Sequence, residues 1–345
     1  MKKILLALLF SAGVVFSVSA HAAEDVVCDT NTVKKSAANK NSSSTRSSQP
    51  RSVRRARTSA RSTARKSIQK RAGPERSTVY PLEVIAVTGQ VEVEKNGAVS
   101  MVGVGERLNV NDVLRTSKDS FTSVRLGDGT VNVLPPNSRI RLLQIDAYTA
   151  RYDLLNGRVE SRVTKSPNAK KSTFEIRVPT VSIGVRGTQF SVSYQEETGE
   201  SSLEVEAGLV QVQKRFTCEP TVLVAQGEGL LLNRRDLKVQ DLLDAPEWVA
   251  KDTAQRKELL TFAVTPVVGA TKYRAQIASD IAFTNIRTQQ DSDSPTVRFN
   301  RDGLKDGFYF VRLYSIDANG MQGKSRQYVF LRNRKTLSDA SIIPF

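Results

Sequence analysis

Histidine is almost missing from this chain. Its one copy, His21, falls in an N-terminal stretch that reads as a removable secretion signal, so the mature chain is expected to hold none. Without an imidazole, Ser-His and Cys-His nucleophile pairs are excluded, and so is every zinc site that needs a histidine ligand. Cysteine is also scarce, with only Cys28 and Cys218. Beyond the first eighteen residues no apolar run reaches membrane length, so no spanning helix is expected once the signal is removed. Between residues 34 and 71 there is no acidic residue at all.

The N-terminus carries Met1-Lys2-Lys3, an apolar run from Ile4 to Val18 and the small-residue pattern Ala20-His21-Ala22. A basic start, a short apolar segment and a cleavage pattern define a signal over residues 1–22. The run is shorter than the roughly 20 residues a spanning helix needs, which argues against a retained anchor. Asp25, Val26 and Val27 ahead of Cys28 are the wrong residues for lipid attachment. The expected location is the periplasm, free or associated with the cell wall or outer membrane. There disulfides persist, so a Cys28–Cys218 bridge is expected, with free or intermolecular thiols as the alternative.

The formal charge of +16 and isoelectric point near 9.9 would suggest nucleic acid in a cytoplasmic protein. Export replaces that with other polyanions: peptidoglycan carboxylates, lipopolysaccharide phosphates, anionic lipid headgroups and acidic proteins. Much of the charge sits in residues 23–77, a Ser, Thr, Ala and Arg-rich tail with almost no large apolar residue. Such a composition cannot bury enough surface to offset the entropy of ordering it, so the tail is expected to be disordered when free. Arg51, Arg54, Arg55, Arg57, Arg61, Arg65 and Lys66 are the candidate polyanion-binding residues; the alternative is a solvated spacer. Ser67-Ile68-Gln69-Lys70 fits a Ser-x-x-Lys pattern, but it lies in this tail without companion motifs.

From Val79 onward β-branched residues alternate with polar ones, broken by glycine at short intervals. Asn96-Gly97 and Asp128-Gly129 supply the positive φ that tight hairpin turns require. The expected class is all-β, with one β domain over residues 78–235 and a second over 261–334. Wider apolar spacing around Trp248, Val249, Leu259 and Leu260, with Asp244 before Pro246, predicts a helical connector over 236–260. Residues 335–345 read as a frayed tail. Separate strands are expected over Arg151 to Leu155 and Arg158 to Val163.

Several of these segments recur in a recognisable order. They include Val87-Thr88-Gly89-Gln90-Val91-Glu92-Val93, Asn111-Asp112-Val113-Leu114-Arg115-Thr116, Val124-Arg125-Leu126-Gly127-Asp128-Gly129-Thr130 and Leu134-Pro135-Pro136-Asn137-Ser138. Leu154-Leu155-Asn156-Gly157-Arg158-Val159, Phe174-Glu175-Ile176-Arg177-Val178-Pro179-Thr180, Val185-Arg186-Gly187-Thr188-Gln189-Phe190 and Ala207-Gly208-Leu209-Val210-Gln211-Val212 complete the series. The stretch from Val84 to Gln213 thereby resembles the FecR domain family. That resemblance implies a twisted, solenoid-like β fold, a periplasmic binding role and no catalytic residues. Family members with a cytoplasmic sigma-regulating segment carry it where this chain has its signal, so direct sigma regulation is not expected. Residues 261–331, with Tyr273-Arg274-Ala275-Gln276-Ile277-Ala278 and Asp306-Gly307-Phe308-Tyr309-Phe310-Val311-Arg312, resemble a fibronectin type III module, which implies an immunoglobulin-like sandwich.

Glu92 with Glu94, and Glu204 with Glu206, alternate along strands whose intervening Val93 and Val205 face a core, so their carboxylates are expected on solvated faces. Asp128 reads as a turn former. Arg186, ahead of Gly187, is either a structural ion-pair partner or a ligand contact. Tyr148, Tyr152, Tyr194, Trp248 and Tyr273 are expected in cores or at the domain junction. No cofactor or metal is expected, and no enzymatic activity. The expected role is a periplasmic interaction protein tethered by its basic tail to an anionic envelope polymer such as peptidoglycan, with an envelope protein as a further candidate partner. The alternative is a periplasmic sensor that relays partner occupancy to a membrane protein. A thiol assay on oxidised protein tests the bridge: alkylation before reduction should label neither cysteine, and finding both sulfhydryls free rejects the pairing.

Overall fold

The computed structural model describes residues 82–146, 149–165, 173–232, 236–249, 254–255, 259–300 and 303–333. The signal, the basic tail and the C-terminal tail expected from the sequence lie outside them. Every element named among these residues is a strand, as the alternating pattern predicts. The chain opens with β1 (Leu82–Thr88), β2 (Val91–Lys95), β3 (Ala98–Met101), β4 (Arg107–Leu108), β5 (Val113–Thr116) and β6 (Phe121–Arg125). It continues through β7 (Val131–Leu134), β8 (Arg139–Ile145), β9 (Thr149–Arg162), β10 (Thr173–Arg177), β11 (Val181–Val185) and β12 (Gln189–Tyr194). Next come β13 (Ser201–Ala207), β14 (Leu209–Lys214), β15 (Val222–Ala225), β16 (Glu228–Leu232) and β17 (Leu237–Asp241). The rest is β18 (Ala254–Gln255), β19 (Thr261–Ala263), β20 (Lys272–Ala278), β21 (Ile286–Ser292), β22 (Thr296–Arg298), β23 (Gly307–Ile316) and β24 (Gln322–Arg332).

Strands β1 to β17 form one hydrogen-bonded network arranged as two layers. The first layer runs β4-β1-β6-β7-β9-β12-β13-β16-β17. The second runs β3-β2-β5-β8-β9-β10-β11-β14-β15. Strand β9 belongs to both. Its first half pairs with β8 and β10, and its second half, from Gly157, pairs with β12 and β7. The two strands expected on either side of Asn156-Gly157 are therefore one. Gly157 (φ +84°) lets the backbone change layers without ending the strand, and a Cβ there would lie 2.5 Å from the Asn137 carbonyl oxygen.

The alternation sends one set of side chains between the layers. Val93, Leu114, Ile140 and Leu154 from the second layer meet Val124, Val159, Val192 and Val205 from the first, all buried in one cluster. Each such side chain stabilises by about 1.5–3 kcal/mol relative to exposure. In the C-terminal unit a sheet ordered β18-β24-β23-β20-β21 accompanies the β19–β22 pair. Phe262 sits at the centre of its core, with the rings of Trp248, Phe330 and Phe299 at 5.2, 5.4 and 6.0 Å.

The connector corrects the sequence expectation. Its described residues are extended: Leu237–Asp241 pairs with β16, Trp248 bridges to Val264, and Ala254–Gln255 runs parallel to the end of β24. The open edge of β16 and the backbone of the C-terminal unit supply partners that a short helix would otherwise supply internally, so local apolar spacing misleads here. The Leu242 amide donates to the Gly227 carbonyl, and the Leu243 carbonyl accepts from Lys324 (both 2.9 Å). Strand β21 carries no apolar alternation over Arg287, Thr288, Gln289, Gln290 and Asp291, and only its Ile286 is buried.

Two glycines let the connector lie this close. A Cβ on Gly229 would meet Met321 and Leu242, and one on Gly323 would lie 2.7 Å from the Leu243 carbonyl oxygen and 2.6 Å from Ser315 Oγ. Gly323→Ala should therefore cost about 1–3 kcal/mol by overpacking. Gly103→Ala, with open space around the added methyl, should stay within about 0.5 kcal/mol. Denaturant melts of the two variants check the difference.

Candidate functional site

The outer face of the first layer is not solvated at its middle. One cross-strand row runs Val133, Glu160, Ser191, Glu204 and Gly229 through β7, β9, β12, β13 and β16. The C-terminal unit rests on this row. Arg312 of β23 donates through Nη2 to Glu160 Oε2 at 2.6 Å and to Gln276 Oε1 at 2.7 Å. Gln276 Nε2 donates to Glu160 Oε1 at 3.2 Å. Beside it, Arg158 pairs with Glu204 at 3.0 Å, and Glu204 also accepts from Ser202 (2.9 Å) and from the Gln322 amide (3.3 Å). A buried carboxylate survives only when paired and hydrogen-bonded, and both carboxylates here meet that condition.

An apolar cluster adjoins the polar row. Phe121 and Val133 of the first layer pack with Ala278, Phe283 and Ile286. Phe283 lies in the 279–285 loop at φ +53°, a conformation a bulky residue adopts only when its surroundings impose it. Asp280 imposes it from within the loop, accepting from the Thr284 and Asn285 amides at 3.0 and 2.7 Å. Thr88 and Ser123 impose it from outside, donating to the Ile286 and Thr284 carbonyls. The Arg312 guanidinium then sits 4.5 Å over the Phe283 ring. The cavity left between Glu160, Ser191, Phe283 and Arg312 is about 30 Å³, room for a water or two rather than for an organic ligand.

Burial by itself would push the Glu160 carboxyl up; the Arg312 and Arg158 charges and the Gln276 hydrogen bond outweigh it and hold the group below the ordinary carboxylate range. Burial opposes the Arg312 charge, and neighbours led by Tyr314 and Glu160 hold its pKa above the ordinary value. Burial raises the Tyr314 phenol. The site is an ion pair locked between the two units.

The residues singled out from sequence fall elsewhere. Arg51, Arg54, Arg55, Arg57, Arg61, Arg65, Lys66, Cys28 and Tyr148 lie outside the described residues. Cys218, in the β14–β15 connection, is disulfide-bonded. Arg186 is exposed at the end of β11 and makes no ion pair among the described residues. Asp128 closes its turn by accepting from the Thr130 amide at 2.8 Å. Tyr152, Tyr194, Trp248 and Tyr273 are buried. Glu204 departs from expectation: it is 2% exposed, because a second unit covers the strand face that alternation alone assigns to solvent. Arg158, Glu160, Ser191, Gln276 and Arg312 were missed altogether. Their only sequence signal is a polar residue at alternate positions, which a solvated face carries equally well.

Residues 112–211 match the family model described as FecR protein, a span that begins just before β5 and ends within β14. It contains Arg158, Glu160, Ser191 and Glu204, but not Gln276 or Arg312. No curated protein matches the chain. Two crystal structures of a candidate anti-sigma factor from Parabacteroides distasonis each align at 19% identity and a TM-score of 0.32, covering 37% of this chain and 57% of that chain. This chain thus spans a little over half the length of those structures.

Glu160→Gln leaves the Arg312 cation buried without its counter-charge and should cost about 3–5 kcal/mol. The pH dependence has a definite sign. Because the folded Glu160 pKa is depressed, its contribution is fully present above the ordinary carboxylate value of about 4.3 and is lost as pH falls through the folded value. Melting temperatures recorded from neutral pH into acid should therefore fall more steeply for the unaltered protein than for Glu160→Gln.

Proposed function

We propose that the protein is a non-enzymatic relay component of the bacterial envelope, exported by its N-terminal signal, which senses a partner outside the cytoplasm and passes that occupancy to a membrane protein. The FecR match over residues 112–211 carries this reading. It speaks for signalling and lends nothing to peptidoglycan binding, so the order of the two roles suggested by sequence is reversed. The basic tail, on which tethering rests, becomes an accessory whose contribution is separable by deletion.

The junction supports a relay. A partner that displaces the FecR domain can be felt by the C-terminal unit only if the two move together, and the Glu160–Arg312 pair with the clamped 279–285 loop gives that coupling a physical route. The β24-β23-β20-β21 order facing β19–β22 supports the fibronectin type III-like reading of the C-terminal unit, a scaffold whose chemistry is contact. Strand β3 supports a protein partner: it pairs only with β2 among the described residues, and its Val99 and Met101 are 63% and 58% exposed. An unprotected edge with apolar side chains is a ready surface for association.

In-cell crosslinking followed by native gels of solubilised envelopes tests the reading. The expected result is a complex of fixed stoichiometry with an integral membrane protein, retained when residues 34–71 are deleted and lost in Val99→Lys/Met101→Lys. Recovery of the chain only on sacculi, released by that deletion, overturns the relay and restores the tether.

A further inference from the structure

Away from the junction, a cleft of about 420 Å³ opens between the end of β5, the β7–β8 turn and the β12–β13 loop. Its size falls within the roughly 300–1,000 Å³ of small-molecule sites, but its walls carry charge and amide groups where such sites are mostly apolar. Arg115 and Arg139 line it and are direct cross-strand partners. Facing residues of an antiparallel pair share one side of the sheet, so two guanidinium groups stand together where like charges repel.

Lys118 adds a third cation to the lining. The single lining carboxylate, Glu196, is engaged by Arg139 at 2.9 Å. Arg115 and Lys118 form no ion pair among the described residues, although Glu92 is the other cross-strand neighbour of Arg115. The floor beneath these cations is fixed. Asn137 holds φ +58°, Asn156 Nδ2 donates to its carbonyl at 3.1 Å, and the Glu196 amide donates to Asn156 Oδ1 at 3.1 Å.

We propose that this cleft binds a small oxyanionic ligand, a phosphate or carboxylate group carried on a hydroxylated body of about sugar size. An oxyanion between Arg115 and Arg139 would turn a repulsive pair into two charge-assisted contacts, and the guanidinium fork matches either group in a bidentate manner. Asn137, Asn156 and Ser117 offer the amides and hydroxyl that a hydroxylated body requires. The site stands on the geometry of the FecR domain alone and is independent of the relay.

The test is calorimetric titration of the full mature chain with glucose 1-phosphate, glucuronate and glucose at one fixed chloride ionic strength. Saturable binding of at least one of the anions and none of glucose is expected, and the tighter anion identifies phosphate or carboxylate as the preferred group. Arg115→Gln/Arg139→Gln should lose at least about tenfold in affinity, while its ligand-free melting temperature changes little, because relief of the repulsion offsets loss of the exposed Arg139–Glu196 pair. If that double variant does not fold, Arg115→Gln alone, at an exposed position, carries the same expectation. Binding of neither anion, equal binding of glucose, or affinity unchanged in the folded variant overturns the proposal.

Discussion

The carboxylate of Glu160 accepts hydrogen bonds from Arg312 and Gln276 at the point where two sheets would otherwise present incompatible faces to one another. A layer closed on its inner side by Val159, Val192 and Val205 has only its outer side to offer a neighbour, and that side carries Arg158, Glu160 and Glu204. Covering such a face with apolar residues would strand the charges. The C-terminal unit brings Arg312 and Gln276 instead, so the junction is possible only with its charges matched. Phe283 meets Arg312 from the strained loop, and the loop is held by hydroxyls of the first unit.

That constraint explains features that look separate. Strands β6 and β13 are buried along most of their length because both their faces are covered. Gly229 and Gly323 lack side chains where the connector passes between the units. The described part of the connector is extended because partners for its backbone groups wait on both sides of it, and a buried backbone takes whichever hydrogen bonds the surroundings provide.

The same arrangement separates two kinds of charged surface. At the junction the Glu160 and Glu204 carboxylates each have a cation. In the cleft beside β5 and β8, cations outnumber the lone Glu196 carboxylate, and the chemistry is left open toward solvent. One surface is closed and holds the two units in register, and the other is open to solvent.

Sequence by itself determined the all-β class, because alternating β-branched residues and Asn-Gly or Asp-Gly turns are local signals with one geometric reading. It also placed the FecR-like stretch, since motif order survives independently of packing. Asp128 as a turn former and the burial of Val93 and Val205 followed from the same local rules. Tertiary structure alone decided that Glu204 is buried, that Asn156-Gly157 lies within one strand shared by two layers, and that the 236–260 segment is extended where its residues are described. For Asn156-Gly157 the deciding partners are β8, β7 and β12 of the same domain; for the other two they lie in or against the C-terminal unit. Alternation tells which side chains share a face but not what covers that face, and the covering unit is some 70 to 150 residues away in sequence, as the Glu160–Arg312 and Gln240–Asp317 contacts show.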